Sequence, residues 1–420
     1  MLKRIFPILV FLFVVAAQAQ ESALEKTEQK QDSIKKAYFL KHLGNGYFPT
    51  KYFNVDLRYL IKFNQYEGFR TGLGGVTNKA LSNTFQFNGY GVYGFRDQKF
   101  KYSIGGGFKL GNTWLSAAYT DDLQETGSTV FLTDKRLFQF FEPRLLNISL
   151  FHKHITKALA LEYDITNHLS AETELALSNI SPTYDYSFVV GDEIYSKFNL
   201  STAKIALQWS PFSKFEMSEQ GVVEVKDGFP KFTFQYTQSI KDAFEGDFNF
   251  SKVDFRAIQR FGKAADYYSE LILVGGMANG NTPLTHLYHA YPNNINKETI
   301  MQRFSVAGNN SFETMFFNEF FSDKFVTLQF KHYVKPFQVS ERFKPQLVLT
   351  TRYALGNIAN PERHQGITFG SLEKGYTESG FELNKLFFGF GLSFTYRYGA
   401  YHLPRVDDNV AFKFTFNVTL

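Results

Sequence analysis

The 420-residue chain contains no cysteine, which removes a disulfide framework, a thiolate metal site and a lipid-modified cysteine behind an export signal. Past Gln20 no apolar run reaches the roughly 20 residues a spanning helix needs. Mean hydropathy is −0.24, and a helical membrane protein is excluded. Neither charge sign dominates: the formal charge is +5, or +3 without Lys3 and Arg4, too little to point to a nucleic-acid partner. There is also no P-loop, no G-x-S-x-G and no H-E-x-x-H. An exported protein of this size without disulfides needs a closed hydrogen-bond network to hold it.

What is present is aromatic. The chain has 49 Phe and 24 Tyr, bringing aromatics to 18%. A soluble core has no need of so many rings, whereas a barrel faces lipid with its outer wall and sets aromatic girdles at both interfaces. At the start, Lys3 and Arg4 precede an apolar run from Ile5 to Ala17 and then Ala17-Gln18-Ala19. That order reads as a secretory signal peptide, 1–19, cut before Gln20. Residues 20–50 read as a charged leader, with a short helix over Asp32–Leu43 or a frayed linker as equal alternatives. Residues 51–420 carry the barrel.

From Lys51 onward, segments of about ten residues alternate apolar and polar, the length a tilted strand needs to cross a bilayer. Phe388, Phe390, Leu392, Phe394, Tyr396 and Tyr398 alternate with Ser393, Thr395 and Arg397. Phe412, Phe414, Phe416, Val418 and Leu420 alternate with Lys413, Thr415 and Asn417, and form a barrel-terminal signal for the insertion machinery. The fold predicted is all-β: a transmembrane antiparallel up-and-down barrel of about sixteen strands, with fourteen as the alternative. The gaps at 123–154, 180–199, 277–322 and 355–375 fall on the outer side, and short breaks at 111–113, 166–169, 262–266 and 384–387 on the periplasmic side. The gap at 211–230 is long where a short one is expected, marking either a miscounted strand or a periplasmic flap.

Several stretches resemble a family of Bacteroidota-type outer-membrane barrels of unknown function, whose members often carry an N-terminal carboxypeptidase-regulatory-like domain. They are Gly46-Tyr47-Phe48-Pro49, Tyr66-Glu67-Gly68-Phe69-Arg70-Thr71-Gly72, Asn318-Glu319-Phe320-Phe321-Ser322-Asp323 and Gly375-Tyr376-Thr377-Glu378-Ser379-Gly380, with Tyr401-His402-Leu403-Pro404 near the end. The resemblance implies a barrel in the outer membrane and no agreed activity. A more distant similarity is to Omp85-like barrels, which insert or export other proteins. Their Val-Arg-Gly-Phe/Tyr loop motif is missing here.

Facing the lumen on this pattern are Arg58, Lys62, Lys101, Lys109, Glu162, Asp164, Glu172, Glu174, Lys204, Arg256, Lys331, Arg352, Arg397 and Lys413. Mixed signs with a basic excess describe a wet and mildly anion-selective pore, or one closed by the outer loops or by residues 20–50. Gly89-Tyr90-Gly91-Val92-Tyr93-Gly94 matches G-x-G-x-x-G but lies in a strand rather than before a helix, so a dinucleotide site is not expected. The pairs His152/His154 and His286/His289 lack a carboxylate cluster at ligand spacing, and no metal or other cofactor is expected. Asp121-Asp122 at the rim is the sole motive for a hydrolase. Two other functions compete: a channel or transporter, and a non-enzymatic assembly, secretion or surface scaffold. Expected partners are outer-membrane lipid, the insertion machinery and periplasmic or surface proteins.

Overall fold

The computed structural model describes residues 46–136, 143–218, 221–262, 267–340, 343–387 and 389–416. The expected signal peptide, the leader up to residue 45 with its helix, and Val418 and Leu420 lie outside the described residues.

Among the described residues, one antiparallel sheet of eighteen segments makes up the wall. In chain order these are β1 Tyr47–Pro49, β2 Phe53–Asp56, β3 Ile61–Asn64, β4 Gly68–Thr77, β5 Phe85–Gly94, β6 Lys99–Leu110, β7 Thr113–Glu125, β8 Phe151–Thr166 and β9 Leu169–Pro182. Next come β10 Phe198–Trp209, then a separate hairpin of β11 Lys214–Ser218 and β12 Gly221–Lys226. The wall resumes with β13 Lys231–Ser239, β14 Phe250–Phe261, β15 Tyr268–Gly280, β16 Lys324–Tyr333, β17 Gln346–Asn357, β18 Tyr376–Phe387, β19 Phe390–Tyr398 and β20 Val410–Phe416.

The count exceeds the expected sixteen for a local reason. The single first strand expected over 52–63 is broken by a 3₁₀ turn at Leu57–Tyr59, where the Asp56 side chain caps the Arg58 N–H. Its halves, β2 and β3, still pair with one strand, β4. The remaining segment, β1, falls in the stretch expected to be leader and pairs with β2.

Period-two patterning produces the two faces. In β6, Phe100, Tyr102, Ile104 and Phe108 are exposed while Lys101 is buried. In β20, Phe412 and Phe414 are exposed while Ala411, Lys413 and Thr415 are buried. The exposed set is the oily one, the arrangement of a wall that meets lipid outside. No helix among the described residues is long and apolar enough to cross a membrane.

Long connections gather at one rim: 126–150, 183–197, 281–323 and 358–375. Inward-facing Ile272, Val274 and Ala354 meet Leu284, Leu287, Phe312, Met315 and Phe321 from the longest of them, forming a buried apolar core. The anomalous 211–230 connection at the opposite rim is the β11–β12 hairpin, which is a flap and not a lost wall strand.

The hydrogen-bond network of the wall, expected to be closed, does not close among the described residues. Among the described residues β20 pairs with β19, and no strand pairs along its other edge. At the opposite end of the sheet β1 carries Pro49, which cannot donate to a ladder and blunts that edge. Alternation fixes which face of a strand is wet but says nothing about whether first and last edges meet.

Candidate functional site

The residues predicted to face the lumen are best described by what each one meets. On β9 and β10 they answer one another: Lys204 lies 3.2 Å from Glu172 and 3.0 Å from Glu174. Near the long-loop rim, Lys101 pairs with Glu67 and Asp97, each at 2.5 Å. A Cβ at Gly94 would crowd the ends of the Asp97 and Lys101 side chains. Arg58 pairs with Asp56 at 2.5 Å, and the Lys62 ammonium lies 5.5 Å from the Tyr59 ring centre. Toward the opposite rim, Lys109 donates to Met217 O at 2.9 Å and Glu162 accepts from Val222 N at 3.0 Å, so both hold the hairpin flap. Asp164, half-buried, sits near the same rim.

The other five meet the long connections or the wall residue on which one of them is seated. Connection 281–323 enters the barrel as a plug, with Pro292–Asn294 and Phe312–Phe316 paired in parallel. Lys413 lies 3.0 Å from Glu313, and Arg397 lies 2.6 Å from Glu319. Lys331 donates to Asn309 O and lies 3.8 Å from Glu382. Arg352 pairs with Glu378 at 2.9 Å. Arg256, on the far wall, pairs with Asp134 at 2.7 Å from connection 126–150, its guanidinium 4.5 Å from the Phe131 ring centre.

The centre of the plug seat is Glu378. Its carboxylate accepts from Glu313 N and Thr314 N at 2.9 Å each, from Thr314 Oγ1 at 2.6 Å and from Arg352 at 2.9 Å. Four donors on one fully buried carboxylate satisfy the charge that burial would otherwise penalise. Burial presses the Glu313 carboxyl upward, but Lys413 and Arg352 outweigh it and hold the group below the usual carboxylate range. The plug histidines shift the other way. Burial brings His286 down to about 3 and lowers His289 despite the nearby Glu125, whose carboxylate is 2.8 Å from His289 Nε2.

Glu313, Glu319 and Glu378 were not among the predicted lumen residues. Glu378 and Glu319 stand inside the stretches that carry the family resemblance, which is the one signal that marked them.

The catalytic and metal candidates are otherwise engaged. Asp122 accepts from Arg70 at 2.7 Å and Tyr90 at 2.5 Å, while Asp121 pairs with Lys153 at 3.2 Å. Successive strand residues face opposite sides of the wall, so the two carboxylates do not converge. His152 meets Thr126 Oγ1 at 3.1 Å and His154 meets Thr156 Oγ1 at 2.8 Å. Among the described residues no three His, Cys, Asp or Glu are grouped to hold a metal ion.

The seam between β20 and the start of the sheet is bridged by connections. Gln65, just after β3, donates from its backbone to Ile148 O at 3.3 Å and from Nε2 to Leu146 O at 2.9 Å. Asn147 in turn donates to Val306 O at 2.8 Å. Phe414 of β20 donates to Ser305 O at 2.8 Å and accepts from Ala307 N at 2.7 Å.

Solved structures similar to this chain include two outer-membrane proteins, one of them from two organisms. BamA from Haemophilus ducreyi, solved without POTRA domains 1–3, superposes with a TM-score of 0.52 at 9% identity, over 84% of this chain and 68% of that one. CdiB from Acinetobacter baumannii gives 0.43 at 11% identity, over 84% and 57%. CdiB from Escherichia coli gives 0.45 at 11%, over 84% and 60%. The chain thus spans less than two thirds of either CdiB. The likeness to that BamA is one of fold, a large antiparallel β-barrel wall. No curated protein matches the sequence. Residues 45–277 match the family described as "Family of unknown function (DUF5686) C-terminal domain".

Proposed function

Since the chain belongs to the DUF5686 family through that C-terminal domain, we propose that it is an exported outer-membrane barrel that engages partner polypeptides at its seam and outer connections, in assembly or secretion. This reading takes the protein to be non-enzymatic and not an open pore. The carrying observation is a pair of facts: connection 281–323 is seated inside the wall on a satisfied carboxylate, while among the described residues no wall strand pairs along the outer edge of the last one. An unpaired strand edge is a template for another extended chain. A solute channel needs the reverse, a closed wall around a clear lumen. Likeness to Omp85-type barrels supports the same reading. The outward Phe412 and Phe414 of the last strand suit recognition by the insertion machinery.

The test places a photo-crosslinking residue at Phe412 or Phe48, on the two sides of the seam, and at Leu161 on the lipid face of β8 as control. In cells, the seam positions are expected to trap discrete polypeptides and the control to trap none. Equal labelling at all three positions would overturn the proposal.

A further inference from the structure

The edge of β20 left free by the wall is held by the protein's own chain. Phe414 N donates to Ser305 O and Ala307 N donates to Phe414 O, the two bonds of a parallel ladder around one residue. We infer that Arg303–Ala307 is an autoinhibitory strap, a stand-in for a strand, which must leave before the β20 edge can accept another chain. The inference rests on the reading of the seam as a working surface.

Four observations carry it. First, the strap runs parallel to β20, whereas closure by the first strand of an up-and-down wall would be antiparallel; the strap therefore substitutes for closure without completing it. Second, it passes through the plane of the wall. Ala307 is buried, yet the Phe304 ring sits 4.5 Å from Phe414 and 5.5 Å from Phe412, on the face those two present to lipid. Third, the strap's outer edge offers no ladder: Val306 O accepts from the side chains of Asn147 and Asn293, at 2.8 and 3.1 Å.

Fourth, the strap is latched. Arg303 is buried and donates to Lys297 O, Glu298 O, Asp407 O and Asp408 Oδ1, at 2.9, 3.4, 2.6 and 3.0 Å. Those partners lie at the strap's own approach and in the turn Val406–Asn409 that leads directly into β20. The other edge of β20 is secured by seven residue pairs with β19. The two backbone bonds seen among the described residues do not match that hold, so the guanidinium supplies what the short ladder lacks, and loosening it at the rim turn frees the edge.

The experiment uses the full chain, which has no native cysteine. Val306→Cys with Phe414→Cys places thiols on the two bridge partners and is expected to oxidise readily in the folded protein, scored by gel mobility without reductant. Val306→Cys with Leu161→Cys is the negative control. Adding Arg303→Ala is expected to slow crosslinking about tenfold, the scale of one lost charge-assisted hydrogen bond. Asp408→Asn, a gentler change, should slow it less, and it decides the matter if Arg303→Ala loses the heat-dependent gel shift of a folded barrel.

No 306–414 crosslink in the folded protein would overturn the strap, and an unchanged rate in both latch variants would overturn the latch. Partner capture at Phe412 is scored separately. Capture without the 306–414 crosslink removes the strap and leaves the proposed function standing; the crosslink without capture does the opposite.

Discussion

The two edges of β20 are built by different means. Toward β19 the strand is zipped residue by residue from Val410 to Phe416. On its other side it meets Ser305–Ala307 through the amide and carbonyl of Phe414. The ladder is cooperative and local, whereas the seam depends on a connection that starts at β15 and is itself anchored on Glu378. The wall should therefore tolerate damage to the plug better than the seam does, and that asymmetry is open to test.

The largest effect should come from the plug seat. Glu378→Ala strands the Arg352 guanidinium and the amides of Glu313 and Thr314, and should cost about 3–5 kcal/mol. It should release the seam, seen as loss of a 306–414 crosslink and as new conductance. If the seam stayed crosslinked, the dependence of seam on plug would be wrong. Phe394→Pro, on the zipped side, removes a ladder donor from a strand paired on both sides and leaves a carbonyl without its partner, at about 1–3 kcal/mol, read as loss of the heat-dependent gel shift. Ala307→Pro removes one strap donor, worth about 1 kcal/mol; it should weaken the crosslink and leave the gel shift intact.

Acidification should act between these extremes and the smallest effect. His286 and His289 are held below their ordinary value of 6.5 by burial. The unfolded plug takes up protons below that pH which the folded plug refuses, so stability is full above 6.5 and falls as pH drops toward the folded values. From pH ~7.5 to ~5.5 the plug should lose about 1–2 kcal/mol. Hydrogen exchange over 284–289, corrected for intrinsic rate, should report faster opening at the lower pH, and equal opening would contradict the burial of neutral imidazoles. Smallest of all, Lys109→Met removes one bond to Met217 O, about 1 kcal/mol or less. It should loosen only 214–226, seen as faster exchange there and an unchanged melt.

The wall was readable in the sequence because a strand's face is a local property. Phe250–Phe261 was expected at 250–261 and stands there, since each residue's side is set by its parity. The ionic partners were not readable in the same way. Lys413 meets Glu313 and Arg397 meets Glu319, and those carboxylates sit in a connection with no period to follow. Spacing flagged the 211–230 gap as anomalous but could not distinguish a flap from a miscount, because β11 and β12 are too short to carry a clear alternation. The seam was invisible for another reason: Pro49 and Ser305 act by blunting or occupying backbone edges, which no side-chain pattern records.

Single-channel recording of the purified, full-length barrel in a planar bilayer bears most directly on the central claim that the lumen is plugged. The wild type should be silent or show only small, rare openings, and Glu378→Ala should give frequent larger ones. Large, steady steps from the wild type, unaltered by Glu378→Ala, would contradict the account.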